Sequence, residues 1–212
     1  LLIALFGSFL APYDPLKVNY DFSLQPPSFL HIFGTDKLGR DVFSRILCGA
    51  KTSFGLTFLM LFLIVFIGMI VGLIAGLSND KVESFFNNII NGLLAFPDTI
   101  FAIAIVGIVG AGLFNTVFAL ALIWWTKYAR LTLALVKQEK KKNYLVMAQM
   151  SGVPTLQRII RYLLPNILSQ ILVTAFLDIG NMMISLAGLS FLGLASQPPQ
   201  PEWGAMLYES KQ

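Results

Sequence analysis

A short segment of this chain combines glycines at a fixed spacing with closely placed charges. Gly34 and Gly39 have the spacing of the glycines in a phosphate-binding loop, whose backbone N–H groups cradle phosphate. Arg40 and Asp41 stand where that loop needs Lys and Ser or Thr, so the segment does not predict a nucleotide site. It instead predicts a turn-rich structure held by ion pairs. The charged side chains expected to pair with one another are Asp36, Arg40, Asp41 and Arg45.

The other residue types that often do chemistry are scarce. The single histidine, His31, cannot complete a catalytic triad or a zinc site, and no nucleophile stands beside a base. The single Cys48 excludes an internal disulfide and a cysteine metal site. We therefore expect a protein that catalyses no reaction and holds no metal or cofactor of its own.

The composition is that of a membrane protein. Apolar residues make up 56% of the chain and charged residues 12%, whereas about a quarter of the residues are charged in soluble domains. Largely apolar runs from Thr52 to Leu77 and from Pro165 to Ala195 exceed the roughly 20 residues that a helix needs to cross a bilayer. Runs at about Phe85 to Val109 and Phe114 to Val136 predict two more spans. The expected fold is an all-α polytopic helical bundle without a soluble domain.

The ends of the chain carry their own expectations. Residues 1–10 are apolar but too short to span, and they lack the basic start and the cleavage site of a signal peptide. We expect residues 1–50 to hold the outer end of a first transmembrane helix and an external loop. Residues 51–212 are expected to form the transmembrane domain, with a cytoplasmic loop at about 137–165. The beginning of the first helix and a last helix are expected to be missing.

Charge placement predicts the orientation in the membrane. Cytoplasmic loops carry an excess of Lys and Arg. The segment from Pro12 to Lys51 has balanced charges and is expected outside, whereas the region between the fourth and fifth spans holds Glu139 as its one acidic residue. The net charge of +4 then follows from topology and indicates no nucleic-acid partner. The basic residues that place this region in the cytoplasm are Lys127, Arg130, Lys137, Lys140, Lys141, Lys142, Arg158 and Arg161.

The segment from Lys140 to Leu168 is basic and amphipathic. Gly152 and Pro154 stand where one helix ends and another begins, because Gly tolerates a left-handed cap and Pro suits a first helical turn. The segment predicts two short helices at an angle that form a docking surface, and Pro165 is expected to bend or restart the second. The alternative is an ordinary amphipathic helix lying on a surface. The residues on the apolar face of the second helix are Leu156, Ile159, Ile160, Leu163 and Leu164.

The spacing of Ala148, Gly152 and Leu164-Pro165-Asn166 resembles the "EAA" loop in the membrane subunits of bacterial binding-protein-dependent ABC importers. The Glu-Ala-Ala signature of that loop is Val146-Met147-Ala148 here. The resemblance implies that the loop forms coupling helices that insert into a groove on a cytoplasmic ATPase. The residues it implicates in ATPase coupling are Ala148, Gly152, Pro154, Arg158, Arg161, Leu164 and Pro165.

Two further elements resemble the dipeptide, oligopeptide and nickel branch of these permeases. The run from Gly34 to Arg45 is similar to "GTDxLGRDxFSR", and the run from Leu189 to Leu207 is similar to "LSFLGLG" followed by "QPPxPEWGxML". The two elements are expected to form an external gate, and the alternative is a contact with a substrate-binding protein. The residues concerned are Gly34, Asp36, Gly39, Arg40, Asp41, Arg45, Glu202, Trp203 and Gly204.

Together these resemblances imply the transmembrane domain of a type I ABC importer in a bacterial inner membrane. The chain would be one of two permease subunits that form the path for peptides, nickel or a metal chelate. The resemblance implies that ATP is bound by two separate cytoplasmic subunits and that an external binding protein delivers the substrate. The alternative is a membrane channel or assembly protein that is not coupled to an ATPase.

Polar and small residues inside the spans predict contacts between helices. A carboxylate inside a span is costly and normally faces protein or water, so Asp178 either lines the translocation path or hydrogen-bonds a neighbouring helix. Gly68, Gly72 and Gly76 recur every four residues and predict a close helix contact. Asp98 follows a proline and is expected to cap a break in its helix.

Overall fold

The computed structural model of the chain describes residues 2–196 and 199–211, which fold into helices joined by turns. Within this part of the chain, extended pairing is limited to an isolated bridge between Thr35 and Asp41. The helices are α1 (Leu2–Leu10), α2 (Val42–Leu77), α3 (Asp80–Leu94), α4 (Asp98–Val109), α5 (Leu113–Lys140), α6 (Asn143–Met150), α7 (Thr155–Arg158), α8 (Leu164–Phe191) and α9 (Trp203–Lys211). A 3-10 turn at Tyr20–Phe22 and a π turn at Ile159–Leu163 complete the order.

Three helical stretches are long and apolar enough to cross a membrane. They are Val42–Leu77, Leu113–Lys140 and the continuous helix Thr155–Phe191, which includes α7, the π turn and α8. The pair α3 and α4 adds a fourth if the two are counted as one broken span. The predicted all-α membrane fold is confirmed.

The apolar run from Phe85 to Val109, predicted as one span, is a bent pair of helices. The axes of α3 and α4 differ by 86°. Pro97 lacks a backbone N–H and disfavours helical geometry at the residue before it, so the chain turns there. Asp98, the first residue of α4, accepts a hydrogen bond from the backbone N–H of Thr99 at 2.8 Å and one from Nε1 of Trp124 at 3.1 Å.

Helix α2 begins earlier than the apolar pattern indicates. It starts at Val42, ten residues before the predicted span, and residue 50 therefore lies inside it. The side chain of Asp41 accepts hydrogen bonds from the backbone N–H of Ser44 at 2.8 Å and from its hydroxyl at 2.7 Å. A carboxylate in this position satisfies the free donors of a first turn, so the polar residues there can continue the helix toward its N-terminus.

Pro165 neither bends the helix sharply nor restarts it. The helix that begins at Thr155 continues past Pro165 to Phe191, so the second predicted helix is not short. The π turn at Ile159–Leu163 directly precedes the proline. Because a proline ring collides with the carbonyl four residues earlier in a regular α-helix, the wider turn accommodates it.

The described residues form two compact units. The first comprises those in 1–59, 102–119 and 180–212, and the second comprises 60–101 and 120–179. In the second unit, α2 and α5 lie very close together along a row of glycines. A Cβ added to Gly68 or Gly72 would lie 2.5 Å from the Cβ of Tyr128 or Thr132, respectively. The glycines spaced four residues apart thus allow a contact between helices of this chain itself.

Candidate functional site

The proposed coupling loop is a helix, a tight turn and a second helix. Helix α6 ends where Gly152 adopts a φ of +75°, a left-handed conformation that favours glycine. The backbone N–H of Val153 then donates to the carbonyl of Ala148 at 3.1 Å, and Pro154 forms the N-cap of α7. The turn therefore depends on the glycine backbone.

The exposed surface of the coupling loop carries several large apolar side chains. The side chains of α6 and α7 that face inward include Leu145 and Ala148, which are buried, whereas Met150 is 83% exposed. The predicted apolar face of the second helix is divided, since Leu163 is buried and Leu156 is exposed. The exposed apolar residues of this loop, which we call the docking face, are Val146, Met147, Met150, Leu156 and Ile160.

The two arginines predicted for this loop lie in different surroundings. Arg158 donates to Oε1 of Gln149 at 2.8 Å and to Oγ1 of Thr155 at 3.0 Å, which joins α6 to α7 across the turn. Arg161 is exposed on the π turn, while Leu164 and Pro165 begin α8. A cleft of about 440 Å³ lies beside Arg158, lined in part by Lys140 and Leu145.

A buried carboxylate anchors the coupling loop to two long helices. Glu139, near the end of α5, accepts hydrogen bonds from Nζ of Lys142 at 2.5 Å and from the hydroxyl of Tyr144 on α6. Asn166 of α8 donates to the same Tyr144 hydroxyl at 3.2 Å. Burial, and then the hydrogen bond to the Glu139 carboxylate, raises the pKa of Tyr144 to about 12. We call Glu139, Tyr144 and Asn166 the anchor.

Sequence reasoning did not find the anchor as a unit. Glu139 is the one acidic residue among the many basic residues of this region, and that isolation is the signal available in the sequence. Tyr144 on α6 and Asn166 on α8 are brought together by the packing of these helices, which the sequence pattern does not show.

The proposed external gate centres on two buried guanidinium groups. Arg40 Nε lies 2.6 Å from Asp36 Oδ2, and Arg40 Nη2 lies 2.7 Å from Glu209 Oε2. Arg45 Nη2 reaches the same Glu209 oxygen at 2.8 Å, and its Nε lies 3.6 Å from Asp36. A cleft of about 460 Å³ borders this cluster. Sequence reasoning missed Glu209, which lies on α9.

Asp41 does not pair with Arg40 or Arg45, which the sequence predicted as its partners, but with His31. Its Oδ1 lies 2.9 Å from Nδ1 of His31, and its other oxygen caps α2, so it does not join the arginine cluster. Gly34 and Gly39 have φ values of +71° and +72°. A Cβ on Gly39 would lie 1.7 Å from the carbonyl oxygen of Asn19, so the glycines serve a tightly folded loop.

Glu202 and Gly204 are buried, Trp203 is half-buried, and this element holds α9 in place. The Glu202 carboxylate accepts hydrogen bonds from the backbone N–H groups of Gly204 and Ala205, each at 2.9 Å. Trp203 Nε1 donates to the Ile46 carbonyl of α2 at 3.0 Å. Residues 197 and 198 of the same sequence element lie outside the described residues.

Asp178 is paired with a lysine. Nζ of Lys127 lies 2.6 and 2.8 Å from the two carboxylate oxygens of Asp178, and the hydroxyl of Tyr128 donates to Asp178 at 2.9 Å. The Asp178 side chain is 8% exposed and that of Lys127 is 51% exposed. The accessible charge at this place is therefore the ammonium. In residues 2–196 and 199–211, no three His, Cys, Asp or Glu side chains come close enough to share a metal ion.

Long apolar helices, a bent helix pair and a basic helix-turn-helix loop define a polytopic membrane protein of the transporter type. Residues 68–210 match the family described as "Binding-protein-dependent transport system inner membrane component". The chain belongs to this family.

Several curated relatives are similar over almost the whole chain. The di/tripeptide transport system permease protein DppC of Pseudomonas aeruginosa is 39% identical over 98% of this chain and 71% of the relative. The nickel transport system permease protein NikC of Escherichia coli K12 is 35% identical over 100% of this chain and 76% of the relative. The glutathione transport system permease protein GsiD of Shigella flexneri is 39% identical over 100% of this chain and 70% of the relative.

These matches confirm the predicted class. The chain is a permease component of a binding-protein-dependent ABC importer in the bacterial inner membrane. It is a transmembrane subunit and not an enzyme. The alternative of a channel or assembly protein without ATPase coupling does not agree with this family.

Proposed function

We propose that this chain works with a second permease subunit, two cytoplasmic ATP-binding subunits and an external binding protein. The partner subunits bind and hydrolyse ATP, and this chain supplies half of the transmembrane path. Relatives are named as permeases for di- and tripeptides, nickel and glutathione, so we propose uptake of a small peptide, nickel or a metal chelate.

The docking face on α6 and α7 carries this proposal. Large apolar side chains such as Met147 and Met150 stand exposed on a short, basic loop. Contiguous exposed apolar surface marks interaction sites, and methionine adapts its shape to a partner surface. A groove on an ATP-binding subunit would cover this surface.

The anchor supports a coupling mechanism. A force on α6 reaches Tyr144, whose hydroxyl is shared between Glu139 of α5 and Asn166 of α8. The turn at Gly152 joins α6 to the helix that continues into α8 without a break. Movement of the docked loop would thus be passed to two membrane-spanning helices together.

The test is assembly and coupling in the purified importer. We expect the chain to copurify with an ATP-binding subunit and to show ATPase activity that the loaded binding protein stimulates. Met150→Glu should weaken copurification, because it places a charge in the docking face. Phe29→Glu is the matched control, since Phe29 is also exposed but lies in the loop expected outside. Equal copurification of both variants would count against the docking face.

Substrate choice needs a separate measurement. Uptake of labelled dipeptide and of nickel is compared in a strain lacking this permease, with and without the restored chain. Restored uptake of one substrate supports the proposal. Restoration of neither, with intact ATPase coupling, would show that the substrate belongs to another chemical class.

A further inference from the structure

We propose that a cationic face of α5, made of Lys127, Arg130 and Lys137, holds the carboxylate of the substrate as it crosses the membrane. This inference rests on the proposed function, and it adds a substrate class, namely small molecules with a free carboxylate.

The three side chains lie on one side of α5. At about 100° per residue, the positions three and ten residues after Lys127 lie about 60° and 80° around the helix from it, so the three positions share one broad face. All three residues are exposed, and so is Ala134 between them. With a helix rise of about 1.5 Å per residue, the backbone positions from Lys127 to Lys137 extend over about 15 Å of the helix.

The position of Lys127 excludes lipid as its neighbour. Lys127 lies at the middle of the 28-residue α5, and half of its side chain is uncovered. A charge at the middle of a span is costly in hydrocarbon and faces a water-filled cavity or other protein. The face that carries Lys127 therefore lines either the path or a contact with another subunit.

The charges on this face favour an anion. Lys127 pairs with Asp178, and Lys137 Nζ lies 2.5 Å from Glu83 Oε1. Arg130 donates instead to the amide oxygen of Asn91 at 2.6 Å, which leaves its positive charge without compensation from that partner. A guanidinium binds carboxylates through two parallel hydrogen bonds, whereas it repels a bare metal cation. A carboxylate is the occupant that matches this arrangement.

The pairing with Asp178 holds the ammonium group of Lys127 in position. The two carboxylate oxygens and the Tyr128 hydroxyl fix the ammonium at one place on the face. An ammonium has three donors, and a substrate carboxylate can share them without removing the Asp178 pair.

The experiment uses the complete importer in liposomes with its binding protein. Uptake is measured for a dipeptide with a free C-terminal carboxylate and for the same dipeptide as its C-terminal amide. The ratio of the two uptake rates is compared between variants. Because every assay uses the same binding protein, its own preference cancels in this comparison.

Three variants test whether the charges on this face bind the substrate carboxylate. Arg130→Gln, and the double variant Lys127→Gln with Asp178→Asn, remove charge from the face without creating an unpaired carboxylate. Each should lower the acid-to-amide ratio about tenfold, as expected for loss of a charged hydrogen bond. Lys127→Arg should keep the ratio near that of the unchanged protein. Lys81→Gln, at an exposed position of α3 outside this face, is the control.

Two results would overturn the inference. An unchanged ratio in the charge-removing variants, with normal uptake, shows that the face does not touch the carboxylate. Loss of copurification in those variants, with recovery in Lys127→Arg, shows that the face binds an acidic surface of another subunit. A different observation would contradict the proposed function, namely the absence of ATPase activity stimulated by the binding protein in the unchanged importer.

Discussion

Single side chains in the second unit show how a charge can lie within a membrane span. Asp178 sits at the middle of α8, where an isolated carboxylate would be unfavourable. Lys127 supplies the opposite charge and Tyr128 a further hydrogen bond. The Asp178 side chain is 8% exposed, so removing Lys127 leaves a buried carboxylate without a counter-charge, whereas Lys127, which is 51% exposed, remains accessible to water when Asp178 is removed.

At the residue scale we predict that Lys127→Gln destabilises the protein by about 1–3 kcal/mol, because it leaves the buried Asp178 carboxylate without its counter-charge. Adding Asp178→Asn should restore most of the loss, since both charges are then removed together. Thermal unfolding of the purified importer measures both variants. Additive effects of the two substitutions would contradict the pairing, because coupled residues are non-additive.

At the scale of the helices, the packing of α2 against α5 requires their backbones to approach closely. The glycines of α2 face α5, and a methyl group at Gly72 would lie 2.5 Å from Thr132 Cβ. Overpacking of this kind typically costs 1–3 kcal/mol. We predict that Gly72→Ala lowers stability by about that amount in thermal unfolding.

The matched control for Gly72 is Gly92→Ala in α3. Apart from its chain neighbours and the backbone of its own helix, no atom of the described residues lies within 4 Å of a Cβ built at Gly92, so the added methyl meets no obstacle. Alanine is also the better helix former, and the control should be neutral or slightly stabilising. Similar losses in the two variants would contradict the close approach of α2 and α5.

The anchor gives a second prediction at this scale. The pKa of Tyr144 is raised from 10.0 to about 12, so the folded state favours the protonated hydroxyl. Its contribution to stability is complete below about pH 10 and is lost as the pH rises through about 12. Tyr144→Phe should abolish this part of the pH dependence and increase hydrogen exchange of α6 amides at neutral pH. Unchanged exchange in α6 would show that the hydroxyl does not hold this helix.

At the scale of the whole molecule the charge pattern predicts an orientation. Lys127 and Arg130 lie near the middle of the spanning helix α5, so this orientation depends on the basic residues from Lys137 to Arg161. Single cysteines replace Lys141 and Lys17 in turn, in a protein whose Cys48 is changed to Ser. An impermeant thiol reagent applied to intact spheroplasts should label the cysteine at 17 and not the one at 141. Labelling of position 141 from outside would contradict both the orientation and the cytoplasmic docking face.

The sequence predicted what depends on local pattern. Apolar runs longer than 20 residues indicated the membrane spans, and the pairing of Gly152 with Pro154 indicated the turn of the coupling loop. Contacts between distant residues were not predictable in this way. Glu209 meets Arg40 across 169 positions of the chain, and Lys127 meets Asp178 across 51. Such pairs depend on the register between helices, which the periodicity of one helix does not contain.

The glycine row also determines how part of the molecule can move. In residues 60–77 and 120–140, the α2 backbone lies against the α5 side chains. A Cβ added to Gly76 would lie 2.7 Å from Cγ1 of Val136. Lys140 Nζ also donates to the Gly76 carbonyl at 3.1 Å. Sliding one helix past the other would drive these atoms into each other, because packed cores do not deform continuously. A load on the α5 end of the anchor therefore displaces these stretches of α2 and α5 as one rigid body.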